Sequence, residues 1–121
     1  MVDDNKDAAD SLQLLLQALG QDVYAVYDGA TAVHAINRQR PHVAILDIGM
    51  PRMSGYEVVE QVRSTLGKDV PVFVAVTGWG QRSDKDEALK RGFKYHFTKP
   101  VSAAALHEVV TAISKEKARR S

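Results

Sequence analysis

The chain has no cysteine, which excludes a disulfide scaffold and any thiolate metal site. No apolar run approaches the roughly 20 residues of a membrane-spanning helix, and the start is acidic where a signal peptide would be basic and then apolar. Neither sign of charge dominates. Sixteen Lys and Arg against 15 Asp and Glu leave a net charge of +1, so no overall field draws the chain toward nucleic acid or an anionic membrane. Internal repeats and low-complexity segments are also missing. With 121 residues there is material for one hydrophobic core and not for two. These absences leave a single domain, residues 1–121, expected to be cytoplasmic, with no membrane or nucleic-acid contact of its own.

What is present is organised around Val43 to Pro51, Val-Ala-Ile-Leu-Asp-Ile-Gly-Met-Pro. Four consecutive apolar residues predict a strand buried on both faces, as in a parallel sheet covered by helices. That strand ends on Asp47. In open α/β sheets the reactive site lies beyond the carboxyl ends of the strands, so Asp47 and the Gly-Met-Pro loop after it are placed for chemistry. A loop-capping Asp is the competing reading of this stretch alone.

In chain order, Asp3-Asp4-Asn5 precedes an amphipathic helix whose apolar positions are Leu12, Leu15, Leu16 and Leu19, closed by Gly20. Val23 to Val26 reads as a short strand. Asp28-Gly29 opens a second helix with Ala32, Val33 and Ile36 inward, stopped by Pro41. After Pro51 a third helix presents Val58, Val59, Val62 and Leu66, and Val70 to Val76 is a second continuous apolar strand ending at Thr77-Gly78. Ser83 with Asp86 has the form of a capping box for a fourth helix closed by Gly92. Lys94 to Phe97 is a short strand running into Lys99-Pro100, and Ser102 caps a last helix with Leu106, Val109, Val110 and Ile113 inward. Its basic end, Lys115 to Arg120, complements the helix dipole and carries no assigned function. Strands alternating with helices predict a doubly wound parallel α/β sheet with right-handed crossovers.

That topology collects Asp3, Asp4, Asp47, Thr77 and Lys99 at one edge of the sheet. Three carboxylates at one rim raise one another's pKa unless a cation neutralises them. The donors are all hard oxygens, with no His or Cys at suitable spacing, which selects Mg²⁺ over zinc.

The chain resembles, over essentially its whole length, the receiver domains of bacterial two-component response regulators. The matching residues are Asp3-Asp4, Asp47 within Leu-Asp-Ile-Gly-Met-Pro, Gly55, Thr77-Gly78 and Lys99-Pro100. The resemblance implies a flavodoxin-like five-stranded sheet of order 2-1-3-4-5 with five helices. It makes Asp47 the phosphoacceptor, with Asp4, Asp47 and the Gly49 carbonyl binding Mg²⁺ directly and Asp3 through water. Thr77 and Lys99 would contact the phosphoryl group, and the peptide bond before Pro100 would be cis. Thr77 and His96 take the switch positions, His96 standing where the family usually has Tyr or Phe. Gly49 and Trp79 take the positions that tune the lifetime of the phosphorylated form; neither can activate water, and the Trp79 indole could shield the acyl phosphate. The stretches around Thr77-Gly78-Trp79-Gly80 and Tyr95-His96-Phe97 look most like receivers appended to hybrid sensor histidine kinases. The implied donor is therefore a histidine kinase or histidine phosphotransfer protein docking through the first helix, with homodimerisation left open. In this reading the chain is a phosphoacceptor and not an enzyme.

One departure stands out. Only Met1 and Val2 precede the acid pair, where the family has four or five apolar residues forming the central strand. The first strand is thus expected to be truncated, its neighbours' backbone groups partly unpaired and the fold less stable. The rival function is a receiver-like docking module independent of phosphorylation, in which Asp3 and Asp4 are misplaced. A phosphohydrolase of the aspartate-nucleophile class would need a second Asp where Gly49 stands, and a flavin module would need a phosphate loop where this chain has Asp-Asp-Asn-Lys-Asp.

Overall fold

The computed structural model describes residues 1–50, 52–78 and 85–120, and the side chains of these except 118–120. Its core is a parallel sheet of β1 (Val43–Asp47), β2 (Val72–Thr77) and β3 (Phe93–Thr98), in that order. β2 is apolar at every position before Thr77 because both of its faces are covered. Phe73 and Ala75 face one hydrophobic cluster and Val74 and Val76 the other, the two-residue alternation of a strand between two helix layers.

The first layer holds α2 (Gly29–Gln39), α3 (Gly55–Leu66) and α4 (Lys85–Lys90), which bury Ala32, Ile36, Val58, Val59, Val62 and Ala88. The second holds α1 (Lys6–Ala18) and α5 (Ala103–Arg120), which bury Leu12, Leu16 and Leu106. Local chemistry fixes the helix starts. Asn5 accepts from the Ala8 N–H, Asp28 from Thr31 and Ser54 from Glu57, each side chain satisfying a donor that the helix cannot. No described helix is long and apolar enough to cross a membrane.

The first strand is reduced to a bridge. Val2 pairs in parallel with Val26 on one side and Leu46 on the other, so the Val26 and Val2 segments take the first two places of the 2-1-3-4-5 order, each as a single bridging residue. Val2 N–H reaches Ile45 O at 2.8 Å and Asp47 N–H reaches Val2 O at 2.9 Å. Across the other side Asp3 N–H reaches Val26 O at 3.1 Å and Val26 N–H reaches Met1 O at 2.9 Å. Below these bonds a cleft of about 740 Å³ opens, lined among others by Met1, Val26, Ile36, Ile45 and Val110.

Two expectations are corrected. Val23 to Val26 forms no regular strand: only Val26 is bridged, because the neighbour it would pair with is so short. On α1 the buried stripe is Ala9, Leu12 and Leu16, while Leu15 and Leu19 are 54% and 45% exposed. At 100° per residue a buried stripe through Ala9, Leu12 and Leu16 leaves Leu15 about 90° off its centre, and Leu19 is the C-cap, past the last helical residue Ala18. The capping pair Ser83–Asp86 lies partly outside the described residues.

Candidate functional site

Three strand ends converge at the carboxyl edge. Asp47 closes β1, Thr77 closes β2, and β3 runs on through Thr98 into Lys99, whose N–H donates to Thr77 O at 2.7 Å. The Lys99–Pro100 bond is cis. Asp3 follows Val2 and is buried, 1% exposed, whereas Asp4 is exposed. Carboxylate oxygens of Asp3, Asp4 and Asp47 all lie within 4.8 Å of one another, so the acids gathered by sequence reasoning do meet.

Lys99 Nζ stands between two of them, 2.8 Å from Asp3 Oδ2 and 3.0 Å from Asp47 Oδ2. The contact to Asp47 is a hydrogen bond, while Asp3 Oδ2, although at ion-pair distance, is a buried oxygen with no well-directed hydrogen bond. Asp3 Oδ1 accepts from the Asn5 N–H at 3.0 Å and Asp47 Oδ1 from the Gly49 N–H at 2.9 Å. Burial pushes the Asp47 pKa up, and the Lys99 and Gly49 hydrogen bonds pull it only part of the way back. For Lys99, burial works to lower the pKa, but the carboxylates of Asp3 and Asp47 outweigh it and hold the ammonium above its ordinary value.

The donor set fits a hard divalent cation. Three carboxylates within one ion's reach, with no His or Cys in the cluster among the described residues, suit an oxygen-ligated ion. Close backbone approach keeps the pocket compact. A Cβ at Gly55 would come within 3.1 Å of Asp47 O and 3.2 Å of Ile48 Cα, tighter than ordinary contact, so glycine eases the fold of the loop back onto the strand that presents Asp47.

Thr77 is buried, its Oγ1 3.5 Å from His96 Nε2 and 3.5 Å from Phe97 O. His96 is half-buried and faces Thr77, so the two expected switch positions are in contact. Trp79 and Pro51 lie outside the described residues. Sequence reasoning did not single out Asn5, which both caps α1 and fixes Asp3; an Asn immediately before a helical pattern was the available signal.

The comparisons agree with this geometry. The profile of the response regulator receiver domain matches residues 1–111. A curated 14.6 kDa uncharacterised protein from the sodA1 3′ region of Leptolyngbya boryana is 32% identical over 111 residues, which cover 91% of this chain and 84% of that protein. A CheY-like response regulator receiver domain from Methylobacillus flagellatus superposes with a TM-score of 0.80 at 30% identity, covering 93% of each chain. The receiver domain of the Francisella response regulator 1452 superposes with a TM-score of 0.85 at 25% identity, over 96% of this chain and 94% of that one. The chain therefore belongs to the response regulator receiver domain family, the receiver modules of two-component signalling.

Proposed function

We propose that this receiver takes a phosphoryl group from a histidine of a kinase or histidine phosphotransfer protein onto Asp47 and relays the change through Thr77 and His96. The observation that carries the reading is Asp47 itself, ending a buried strand with Oδ2 held by Lys99 and with Asp3 and Asp4 beside it. In the transfer a carboxylate oxygen of Asp47 forms the new bond to phosphorus as the bond from phosphorus to the donor imidazole nitrogen breaks. The imidazole leaves with that electron pair and regains its proton from solvent. Lys99 offsets the charge on the transferring oxygens, because alignment and neutralisation are most of what phosphoryl transfer requires.

The cation this site fits is Mg²⁺, with Asp4, Asp47 and the Gly49 carbonyl as direct ligands and Asp3 acting through water. When bound it supplies charge neutralisation at the phosphoryl oxygens. The chain's role is that of a cytoplasmic phosphoacceptor which also loses its phosphoryl group by itself, without turnover of a separate substrate. Aspartyl phosphate carries about −1.5 to −2 charge, by analogy with other phosphorylated side chains, in place of the single carboxylate charge, and its oxygens draw in the Thr77 hydroxyl. The population then shifts on the face built from α4, β3 and α5. The donor docks on α1, whose Leu14 and Leu15 are 67% and 54% exposed and offer a partner helix an apolar flank.

Incubation with acetyl phosphate and Mg²⁺, followed by intact mass, tests this: wild type gains one phosphoryl group and Asp47→Asn gains none. Unmodified wild type under these conditions would reject it. The rival reading, a docking module independent of phosphorylation, required Asp3 and Asp4 to be misplaced, and their carboxylates instead lie within 4.8 Å of Asp47; absent Mg²⁺ binding would revive it.

A further inference from the structure

Gly29 is the first residue of α2, and the Asp28 side chain caps that helix through the Thr31 N–H at 2.8 Å. It is buried against the loop that leaves Asp47. A Cβ built on Gly29 would lie 2.7 Å from Met53 Cβ, 2.8 Å from Met53 Cγ and 2.9 Å from Met53 Sδ. Met53 Cβ is fixed to its own backbone, so rotation of the side chain cannot relieve that contact. The main chain at Met53 would have to move.

That main chain is the one carrying Gly49. At its start the Gly49 N–H holds Asp47 Oδ1, and at its end the Gly55 N–H meets Ile48 O at 3.4 Å. Between them Arg52 has φ of 68°, the left-handed region, where a residue with a side chain is held only when its surroundings impose it. Immediately after Arg52 comes Met53, seated in the space that Gly29 leaves.

We infer that Gly29 is a positioning residue for the cation site. Its missing side chain is the socket for Met53, and Met53 in that socket sets the path of the loop and so the placement of the Gly49 carbonyl. Gly29 touches neither cation nor phosphoryl group. The inference rests on the proposed reading of Gly49 as a metal ligand. It goes beyond that reading by placing control of the ligand in a different element, the start of α2.

The test compares wild type with Gly29→Ala, Met53→Gly and the double variant, using Mg²⁺ titration and the backbone amide spectrum of the metal-free protein. Alanine is the better helix former, so α2 is not itself weakened by the first change. Gly29→Ala is expected to displace the metal-free Gly49 and Gly55 amide signals and to weaken Mg²⁺ binding on the order of tenfold, as for other residues that orient a ligand. Adding Met53→Gly restores both, because the Cβ that stands 2.7 Å from the new methyl group is gone with the rest of the side chain.

Wild-type amide positions and affinity in Gly29→Ala would overturn the inference, as would a loss that persists in the double variant. Should Gly29→Ala fail to fold, recovery of folding in the double variant supports the socket, and continued failure rejects it. A wild type that binds no Mg²⁺ removes the proposed function, while the metal-free amide signals still decide whether Gly29 sets the loop.

Discussion

The Lys99 ammonium donates to Asp47 Oδ2 at 3.0 Å, so the carboxylate proposed to attack phosphorus is already clasped by the cation proposed to meet the phosphoryl group. The same ammonium is 2.8 Å from Asp3 Oδ2, and it offsets mutual repulsion of two buried acids. Lys99→Met should have two opposed effects. The metal-free protein becomes less stable, because Asp3 and Asp47 lose their shared partner. Mg²⁺ binds about three- to tenfold more tightly, because roughly 1 kcal/mol of screened cation repulsion is removed. Thermal melting and Mg²⁺ titration check the pair; unchanged affinity would count against the clasp as a competitor of the metal.

The response to pH follows from Asp47. Its folded-state pKa is raised, with burial as the largest cause. A raised pKa contributes stability below the unfolded value that is lost as pH rises through the folded one. The metal-free protein should therefore lose this contribution on alkalinisation. Cation binding needs the ionised form, so the gain in Tm from Mg²⁺ should set in as pH rises through that same raised pKa, above the ordinary carboxylate range. Melting with and without Mg²⁺ from about pH 4 to about pH 8 measures it, with Asp47→Asn expected to give a small, flat Mg²⁺ effect.

Four apolar residues added ahead of Met1 should enter the cleft beside Ile45 and raise Tm. Each ladder hydrogen bond gained is worth about 0.5–1.5 kcal/mol, and about 1 kcal/mol corresponds to roughly 4 °C in a domain of this size. The Met1 ammonium, which donates to Tyr24 O at 2.9 Å, is brought down by burial from 8.0 to about 6. A lowered pKa contributes stability above the unfolded value that is lost as pH falls through the folded one, so the chain should weaken between pH 8.0 and about 6. The extended variant has an amide at that nitrogen and should lose this dependence. A polar extension of equal length that stabilises as much would show that burial in the cleft is not the cause.

Trp79 lies two residues past Thr77 in the sequence, and we propose that it tunes the lifetime of the phosphorylated form. If its indole keeps water from the acyl phosphate, Trp79→Ala should speed decay several-fold, followed as loss of the phosphorylated mass after the donor is removed. An unchanged decay rate ends the shielding idea. As the single tryptophan of the chain, Trp79 should also change its emission on Mg²⁺ titration.

The sequence by itself determined the parts that depend on local pattern. Continuous apolar runs at Val43 to Leu46 and Val72 to Val76 have only one stable place, between two helix layers. The residues closing those strands, Asp47 and Thr77, must then share an edge, and with Lys99 they carry the family likeness. Tertiary structure decided what depends on which neighbour is present. Val23 to Val26 has strand composition but pairs only at Val26, since a ladder needs a partner of matching length. Leu15 and Leu19 fit a helical stripe, yet the sheet lies against Ala9, Leu12 and Leu16, and helical periodicity does not say which side of a wide stripe is covered. The contact between Gly29 and Met53 joins residues far apart in the chain. A glycine at a helix start reads as a turn preference until the fold shows what stands in the space its side chain would take.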